Sequence, residues 1–317
     1  MATKTLVTSE PYAGVGVAVH FDGRANIMDL PVQEIVDLFK ATGFVAFTGF
    51  GMDLTTFEKF SNQFSTDYMD HTGGGSLREV INKEGDKTIL SVAYSFKQEE
   101  GKFSNEEQKT FGLPLHADRS YTTSQPPLMW FMCEVPAKKD GQTTIADGVK
   151  LYEALSDRSK EVFANNKIDY IRHYPDGEWQ LWAGTDDLDK VRAYCQANDL
   201  ELTITPDNGV ETHSLRSAFV APRWTDKKAF VNSIPIVMWQ EDELKSTRSL
   251  VRLADGSRIP QDVLDDMWQV CESCTYDIPW HSGDVVMIDN TRMMHGRRPF
   301  TGGERKIAVR MARTVPF

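Results

Sequence analysis

This chain of 317 residues has few cysteines, and their spacing excludes two kinds of site. Cys133, Cys195, Cys271 and Cys274 are too few and too scattered for a disulfide framework. Cys271 and Cys274 form a CxxC pair, but no further ligands follow at the spacing that a zinc site needs. We therefore interpret this pair as two reduced thiols on one helix.

The sequence also lacks a long apolar run and an excess of basic residues. No stretch approaches the ~20 apolar residues of a membrane span, and the N-terminal segment has no signal-peptide pattern. The formal net charge of −11 argues against a nucleic-acid partner. We expect a soluble, cytoplasmic protein without a membrane or nucleic-acid partner, and the sequence leaves the oligomeric state open.

Core-forming residues are abundant, because 40% of the chain is hydrophobic and it contains seven Trp and seventeen Phe. From residue 126 onward, short segments rich in β-branched and aromatic residues alternate with turn signals. This pattern is typical of an antiparallel barrel or sandwich with added helices, a mainly β fold with some α structure. No repeat or linker interrupts the chain, and we expect one domain over residues 1–317.

Three segments have the periodicity or end signals of helices: VQEIVDLFKATG, ended by Gly43; LTTFEKFSNQF, capped by Asp53; and QDVLDDMWQVCESC. The segment KAFVNSIPIVM predicts a strand. Residues 66–110 are rich in Gly and charge and show little periodicity. We interpret them as loops that form either a lid beside a site or a plain surface loop.

The main chemical signal is His116-Ala117-Asp118. Residues two apart on a strand point to the same side, so the imidazole and the carboxylate can reach one point. His295 follows an apolar strand and a turn far downstream, and two His with one carboxylate can form the facial triad that binds Fe(II). A second His-x-Asp, at His20 to Asp22, has no such distant partner.

Three segments carry a resemblance to a known family: PLHADRSY, QPPLMWFMCEVPAKKDGQTTIADG and GDVVMIDNTRMMHGRRPFTGGERKIAVR. They resemble the taurine/2,4-D dioxygenase-like (TauD/TfdA) branch of the Fe(II)/2-oxoglutarate oxygenases, over roughly residues 110–317. The resemblance implies a double-stranded β-helix, or jelly-roll, core of the cupin kind. It also implies that His116, Asp118 and His295 bind iron, and that the carboxylate at Asp118 favours oxygen chemistry over halogenation.

The family holds the distal carboxylate of 2-oxoglutarate with an arginine downstream of the second histidine. Arg305 matches the usual R-x-(Leu/Ile/Met) form, with Arg310 as the competitor. The position that often carries a second arginine in relatives is Val309, which leaves the choice between the two open. The resemblance places a hydroxyl on the same carboxylate at Thr143, with Thr144 as the alternative.

Substrate contacts are less defined in the sequence. Asn232 matches a family strand that carries an Asn near the site, and several other polar residues could reach a substrate. The Asp289-Asn290 pair either orients a ligand or only forms a turn. The further candidates for contact with a substrate are Arg223, Arg78 and His71, followed by Asn82, His213 and Arg216.

The resemblance implies an Fe(II)-dependent dioxygenase with 2-oxoglutarate and O2 as co-substrates. It would oxidise an unactivated C–H bond of a small molecule, by hydroxylation unless placement favours desaturation or cyclisation. Cationic residues near the predicted site would suit an acid or amino-acid derivative as the substrate, and we expect a role in natural-product or amino-acid metabolism. The alternatives are a cupin-type metal-dependent isomerase or lyase, which needs no dicarboxylate anchor, and a non-catalytic jelly-roll binding protein.

Overall fold

The computed structural model describes residues 9–12, 14–21, 26–69, 112–301 and 304–317, together with the backbone of residues 78–80 and 91–94. The helices are a 3-10 turn at Ile27–Asp29 and α1 Val32–Thr42, α2 Leu54–Ser61, α3 Gly148–Ala154, α4 Asp157–Asn165, α5 Glu178–Ala183, α6 Leu188–Ala197, α7 Ile234–Asp242 and α8 Gln261–Cys274. The strands are β1 Ser9–Tyr12, β2 Gly16–His20, β3 Phe44–Thr48, β4 Tyr68–Met69, β5 Arg78–Val80, β6 Ser91–Tyr94, β7 Leu113–His116, β8 Leu128–Val135, β9 Lys139–Asp140, β10 Thr143–Asp147, β11 Ile168–Tyr174, β12 Glu201–Ile204, β13 Val210–Arg216, β14 Phe219–Val220, β15 Ala229–Phe230, β16 Ser249–Leu253, β17 Tyr276–Ile278, β18 Val285–Asp289, β19 Met293–Arg297, β20 Phe300–Thr301 and β21 Lys306–Ala312.

The largest sheet has the strand order β1-β2-β3-β18-β8-β21-β6-β5, and β4 pairs with β21. Its central strands β3, β8 and β18 are apolar on both faces, as β18 shows. Val285 and Met287 pack with α1 and α2 on the outer face, whereas Val286 and Ile288 belong to the cluster on the inner face. Both faces are therefore covered, which accounts for the near-continuous apolar runs of β8 and β18.

A second sheet, in the order β17-β10-β19-β7, faces the inner side of the large sheet. Ile145, Ile278 and Met293 of this second sheet share one buried cluster with Phe131 and Ile288 of the large sheet. Two sheets, antiparallel except where β2 and β3 pair in parallel, enclose a common core and form the predicted jelly roll. The sequence prediction of a mainly β fold with flanking helices is confirmed.

A third sheet, β12-β13-β11-β16, stands beside the jelly roll, and α5, α6 and α7 contact its strands. Its Ile168, Tyr170 and Val251 pack in the same cluster as Leu115 and Met294 on the outer side of the second sheet. This layer positions α5 and α6, and it places the face of β11 that carries Tyr170 against the segment after β7.

The predicted helices at α1, α2 and α8 are confirmed, and Gly43 ends α1 with a φ of 75°. The strand predicted for KAFVNSIPIVM is wrong beyond Phe230, because α7 begins at Ile234 with a proline in its first turn. Proline is preorganised for the first turn of a helix, and this helix-start signal outweighs the β propensity of the segment.

The loop prediction for residues 66–110 is corrected where the backbone is described, since β4, β5 and β6 pair within the large sheet. The lid prediction for the rest of that segment lies outside the described residues. No helix in the described part of the chain is long and apolar enough to cross a bilayer.

Candidate metal and co-substrate site

The two histidines of the predicted triad meet because β7 and β19 are neighbours in the second sheet. His116 and His295 are direct register partners, and a bulge follows between His295 and Arg297. Gly296 permits this approach: a Cβ at that position would lie 2.4 Å from the main-chain oxygen of Leu113. The sequence therefore needs glycine immediately after the second histidine for the two strands to pair here.

Asp118 completes the triad from the turn after β7. One candidate ligand atom from each of His116, Asp118 and His295 lies within 4.8 Å of the other two, and Nε2 of His295 is 3.5 Å from Oδ2 of Asp118. The side chains of His295 and Asp118 are 6% and 15% exposed. Two imidazoles and one carboxylate in this arrangement fit a divalent iron ion and leave its other positions open.

The histidine rings are oriented by different means. Nδ1 of His116 is 2.9 Å from the main-chain oxygen of Pro114, to which it can donate, and this leaves the lone pair of Nε2 for a metal. Nδ1 of His295 is buried and has no hydrogen-bond partner in the described structure. Packing holds the His295 ring instead, at centroid distances of 4.5 Å from His116 and 5.0 Å from Phe131.

Asn290 and Asn232 fix the turn that carries Asp118. The Asn290 side chain accepts from Asp118 N at 3.1 Å and donates to Asp118 O at 2.9 Å. The main-chain oxygen of Asn232 accepts from Ala117 N at 3.0 Å. The Asn232 side chain is buried and bonds the main chain of Ala218 and Ile234, so the structure supports a positioning role for it rather than contact with a substrate.

Arg305 and Thr143 lie together, as the family resemblance implies. Nη2 of Arg305 donates to Oγ1 of Thr143 at 2.9 Å, and Nε donates to the main-chain oxygen of Gly141 at 2.7 Å. The indole of Trp280 also donates to Oγ1 of Thr143 at 2.8 Å. Burial, with a smaller effect of the nearby Arg297, lowers the pKa of Arg305 to about 9.

The register connects this cation to the triad. Thr143 lies two residues before Ile145, which is the direct partner of His295, so Thr143 and His295 face the same side at a separation of ~7 Å along the strands. Thr144 is the partner of Gly296 and points to the opposite face. The geometry therefore favours Thr143 over Thr144 as a neighbour of a ligand between the sheets.

Arg310 lies on the outer face of the large sheet, next to α2. Its guanidinium is 3.5 Å from the centroid of the Tyr68 ring and donates to Glu58 O, Ser61 Oγ and Asn62 Oδ1. Its neighbours Val309 and Met311 face the interior instead. This placement disfavours Arg310 as an anchor for a co-substrate between the sheets.

The other predicted contacts are dispersed. Arg223 lines a cavity of about 480 Å³, and none of the triad residues lines it. His213 bonds Asp169 and Glu211 on the third sheet, and Arg216 pairs with Asp199 at 2.7 Å. Arg78 lies in β5, where only the backbone is described. His71 and Asn82 lie outside the described residues.

Three residues near the site were not predicted from the sequence as site residues. Trp280 bonds Thr143, and Arg119 follows Asp118 directly. An arginine directly after the metal ligand Asp118 could have indicated Arg119 as a site residue from the sequence alone. Arg172, on β11, has no motif around it, and only the packing of the third sheet brings it near the turn after β7.

The family model described as "Taurine catabolism dioxygenase TauD, TfdA family" matches residues 8–313. The chain belongs to this family. Membership confirms the enzyme class that the sequence predicts, a 2-oxoglutarate-dependent dioxygenase that uses iron, and the His-Asp-His triad provides a matching donor set.

Two curated relatives are similar in sequence. A clavaminate synthase-like protein of Arabidopsis thaliana is 25% identical over 289 residues, covering 86% of this chain and 82% of that protein. The dapdiamide synthesis protein DdaC of Enterobacter agglomerans is 26% identical over 209 residues, covering 61% of this chain and 63% of DdaC.

Solved structures share the fold. PvcB of Pseudomonas aeruginosa has a TM-score of 0.56 at 15% identity, over 98% of this chain and 92% of PvcB. AAD-2, solved with Mn(II) and N-oxalylglycine, has a TM-score of 0.56 at 14% identity, over 97% of each chain. At these identities the likeness concerns the fold alone.

Proposed function

We propose that this dioxygenase oxidises an unactivated C–H bond of a small-molecule acid, with hydroxylation as the default outcome. In this proposal His116, Asp118 and His295 hold the iron on one face. Arg305 and Thr143 hold the distal carboxylate of 2-oxoglutarate. When bound, iron and 2-oxoglutarate supply the activation of O2 that this chemistry needs.

The observation that carries the proposal is the buried guanidinium of Arg305. It forms no ion pair with a carboxylate among the described residues, and its pKa is lowered by burial. A buried charge without a partner is costly, so the site gains stability when an anion binds. A dicarboxylate that reaches from Arg305 to the triad meets this need, whereas a cupin-type isomerase or lyase would not require the cation.

The chain's own groups then have distinct tasks. Thr143, held by Trp280, can offer its hydroxyl hydrogen to the carboxylate that Arg305 neutralises. Phe131, packed on His295, excludes water beside the triad. The assignment of residues 1–317 to one catalytic domain, a lid within residues 66–110 and a cytoplasmic location stay predictions.

The test is the visible charge-transfer band expected when Fe(II) and 2-oxoglutarate are added without O2. We expect Arg305→Gln to raise the 2-oxoglutarate concentration for half-maximal absorbance by roughly tenfold or more, since a charge-assisted hydrogen bond is lost. Arg298→Gln is the matched control, because Arg298 is partly exposed and bonds Glu272 and Asp277. Absence of a band in folded, iron-loaded protein, or equal shifts in both variants, would contradict the proposal.

The substrate is sought by screening amino acids, biosynthetic acids and uncharged analogues of these acids for stimulated consumption of 2-oxoglutarate. Mass spectrometry then distinguishes the outcomes: hydroxylation adds one oxygen atom, whereas desaturation or cyclisation removes two hydrogens. A screen in which only uncharged compounds stimulate turnover would overturn the acid part of the proposal.

A further inference from the structure

The turn after the metal ligands presents an arginine in an unusual conformation. Arg119 follows Asp118 directly and has a φ of 58°, in the left-handed region that non-glycine residues rarely adopt. Thr122 fixes the turn, because its N–H and its hydroxyl both donate to the main-chain oxygen of Arg119, at 2.9 and 3.0 Å. The guanidinium of Arg119 donates to Sδ of Met69 at 3.4 Å, and a thioether sulfur is a weak acceptor.

A second arginine faces the same region from the third sheet. Arg172 shares one face of β11 with Tyr170 and Tyr174, and its guanidinium is 3.9 Å from the centroid of the Tyr121 ring. Nε of Arg172 is buried without a hydrogen-bond partner in the described structure. Tyr170, on the same face, accepts a hydrogen bond from Ser233 N at 3.3 Å, and Ser233 Oγ donates to Ala117 O at 3.1 Å.

Aromatic side chains connect the two arginines. The Tyr194 hydroxyl lies beside Arg119 and near Tyr121, and burial raises the pKa of Tyr194 despite the opposing effect of Arg119. Trp182 stacks on Tyr174 at 4.5 Å and meets Tyr194 edge-on at 5.6 Å. The side chains of α5 and α6 thus complete an aromatic wall beside the turn that carries Asp118.

The charge around this wall is one-sided. Neither Arg119 nor Arg172 forms an ion pair with a carboxylate in the part of the chain that the structure describes. Other arginines near the third sheet form ion pairs with carboxylates: Arg216 pairs with Asp199, and Arg248 pairs with Glu178. Two partly buried cations without acidic partners favour an anionic ligand.

We infer that Arg119 and Arg172 bind the carboxylate of the oxidised substrate, with Tyr121, Tyr174 and Tyr194 around it. This inference rests on the proposed function and adds to it the residues that recognise the substrate as a carboxylic acid. It separates the two anions of the reaction, since 2-oxoglutarate is held by Arg305 beside β10 and the substrate is held by the turn after β7. The carboxylate end then lies next to Asp118, and the remainder of the substrate extends toward the triad.

The experiment uses the full chain loaded with Fe(II) and 2-oxoglutarate without O2. Calorimetric titrations compare carboxylic acids with their own carboxamides, for a set of α-amino acids and for 3-phenylpropionate. We expect at least one acid to bind roughly tenfold or more tightly than its amide. Arg119→Gln and Arg172→Gln should each remove most of that preference, whereas the exposed control Arg258→Gln, whose partner is Asp242, should keep it.

The outcomes separate the inference from the proposed function. Failure to bind 2-oxoglutarate would overturn the proposed function itself. Normal 2-oxoglutarate binding with no preference for any acid over its amide, or an unchanged preference in both folded arginine variants, would overturn the inference alone. Circular dichroism and thermal unfolding of each variant establish that the fold is intact.

Discussion

The side-chain amide of Asn290 holds the main chain of Asp118 from both sides. Oδ1 accepts from Asp118 N at 3.1 Å, and Nδ2 donates to Asp118 O at 2.9 Å and to Pro126 O at 3.0 Å. Gln125 in turn donates to the main-chain oxygen of Asn290 at 2.8 Å. Asn290 directly follows β18, so one buried amide ties the turn that carries Asp118 to the segment that leads to His295.

This relationship predicts that Asn290→Ala weakens metal binding without removing a ligand. Asp118 would lose two hydrogen bonds and Pro126 one, and removal of groups that orient a ligand typically lowers affinity by roughly 10- to 100-fold. Anaerobic titration with Mn(II) or Fe(II) measures the change. Asn166→Ala is the control, since its amide caps the end of α4 by donating to Val162 O, away from the triad. Equal affinity in folded Asn290→Ala would show that Asp118 is positioned by other contacts.

The two His-x-Asp motifs should behave differently when each is mutated. Asp118→Ala and His295→Ala should abolish measurable binding of one Fe(II) per chain, because each removes one of the three ligands. His20→Ala should bind iron as wild type does, since His20 bonds Thr48 and lies 3.9 Å from Glu10. Calorimetry without O2 makes the comparison. Loss of iron binding in the His20 variant would mean that the triad is misassigned.

The sequence predicted the elements whose signals are local. His116 and Asp118 precede the long apolar strand β8, Arg305 directly precedes β21, and α8 was predicted with its observed bounds. Register then places them, because a strand that is buried on one face tolerates no slip. The family resemblance supplied the order of the motifs, and pairing of β7 with β19 brings them together.

Contacts between different layers of the fold could not be predicted from local signals in the sequence. The strand alternation of β21 puts Arg310 on the outer face, but a segment that is buried on both faces shows no period that distinguishes one from the other. Arg172 approaches the turn after β7 only through the third sheet, whose packing on the jelly roll has no local signal. The sequence left open whether Asn290 orients a ligand or only forms a turn, because its hydrogen bond with Asp118 spans 172 positions of sequence.

Arg310 should contribute to stability rather than to co-substrate binding. Arg310→Met would lose the bonds to α2 and the contact with the Tyr68 ring while keeping much of the volume. We expect the free energy of unfolding to fall by about 2–4 kcal/mol, with little change in the 2-oxoglutarate requirement. Urea unfolding and the charge-transfer titration measure the two effects. A large rise in the 2-oxoglutarate requirement without a loss of stability would reverse the assignment of Arg305 and Arg310.

His213 should make stability depend on pH. Burial lowers its pKa, but the hydrogen bonds and charges of Asp169 and Glu211, at 2.8 and 3.1 Å, outweigh that effect and raise it overall. The stabilisation is therefore fully present below the unfolded pKa of ~6.5 and is lost as pH rises through the higher folded-state pKa. Relative to His213→Gln, the wild-type free energy of unfolding should decline from about pH 6 upward. Urea unfolding across this pH range measures the decline, and Asp169→Asn should reduce it. A parallel pH dependence of the free energy of unfolding in wild type and His213→Gln would refute the linkage.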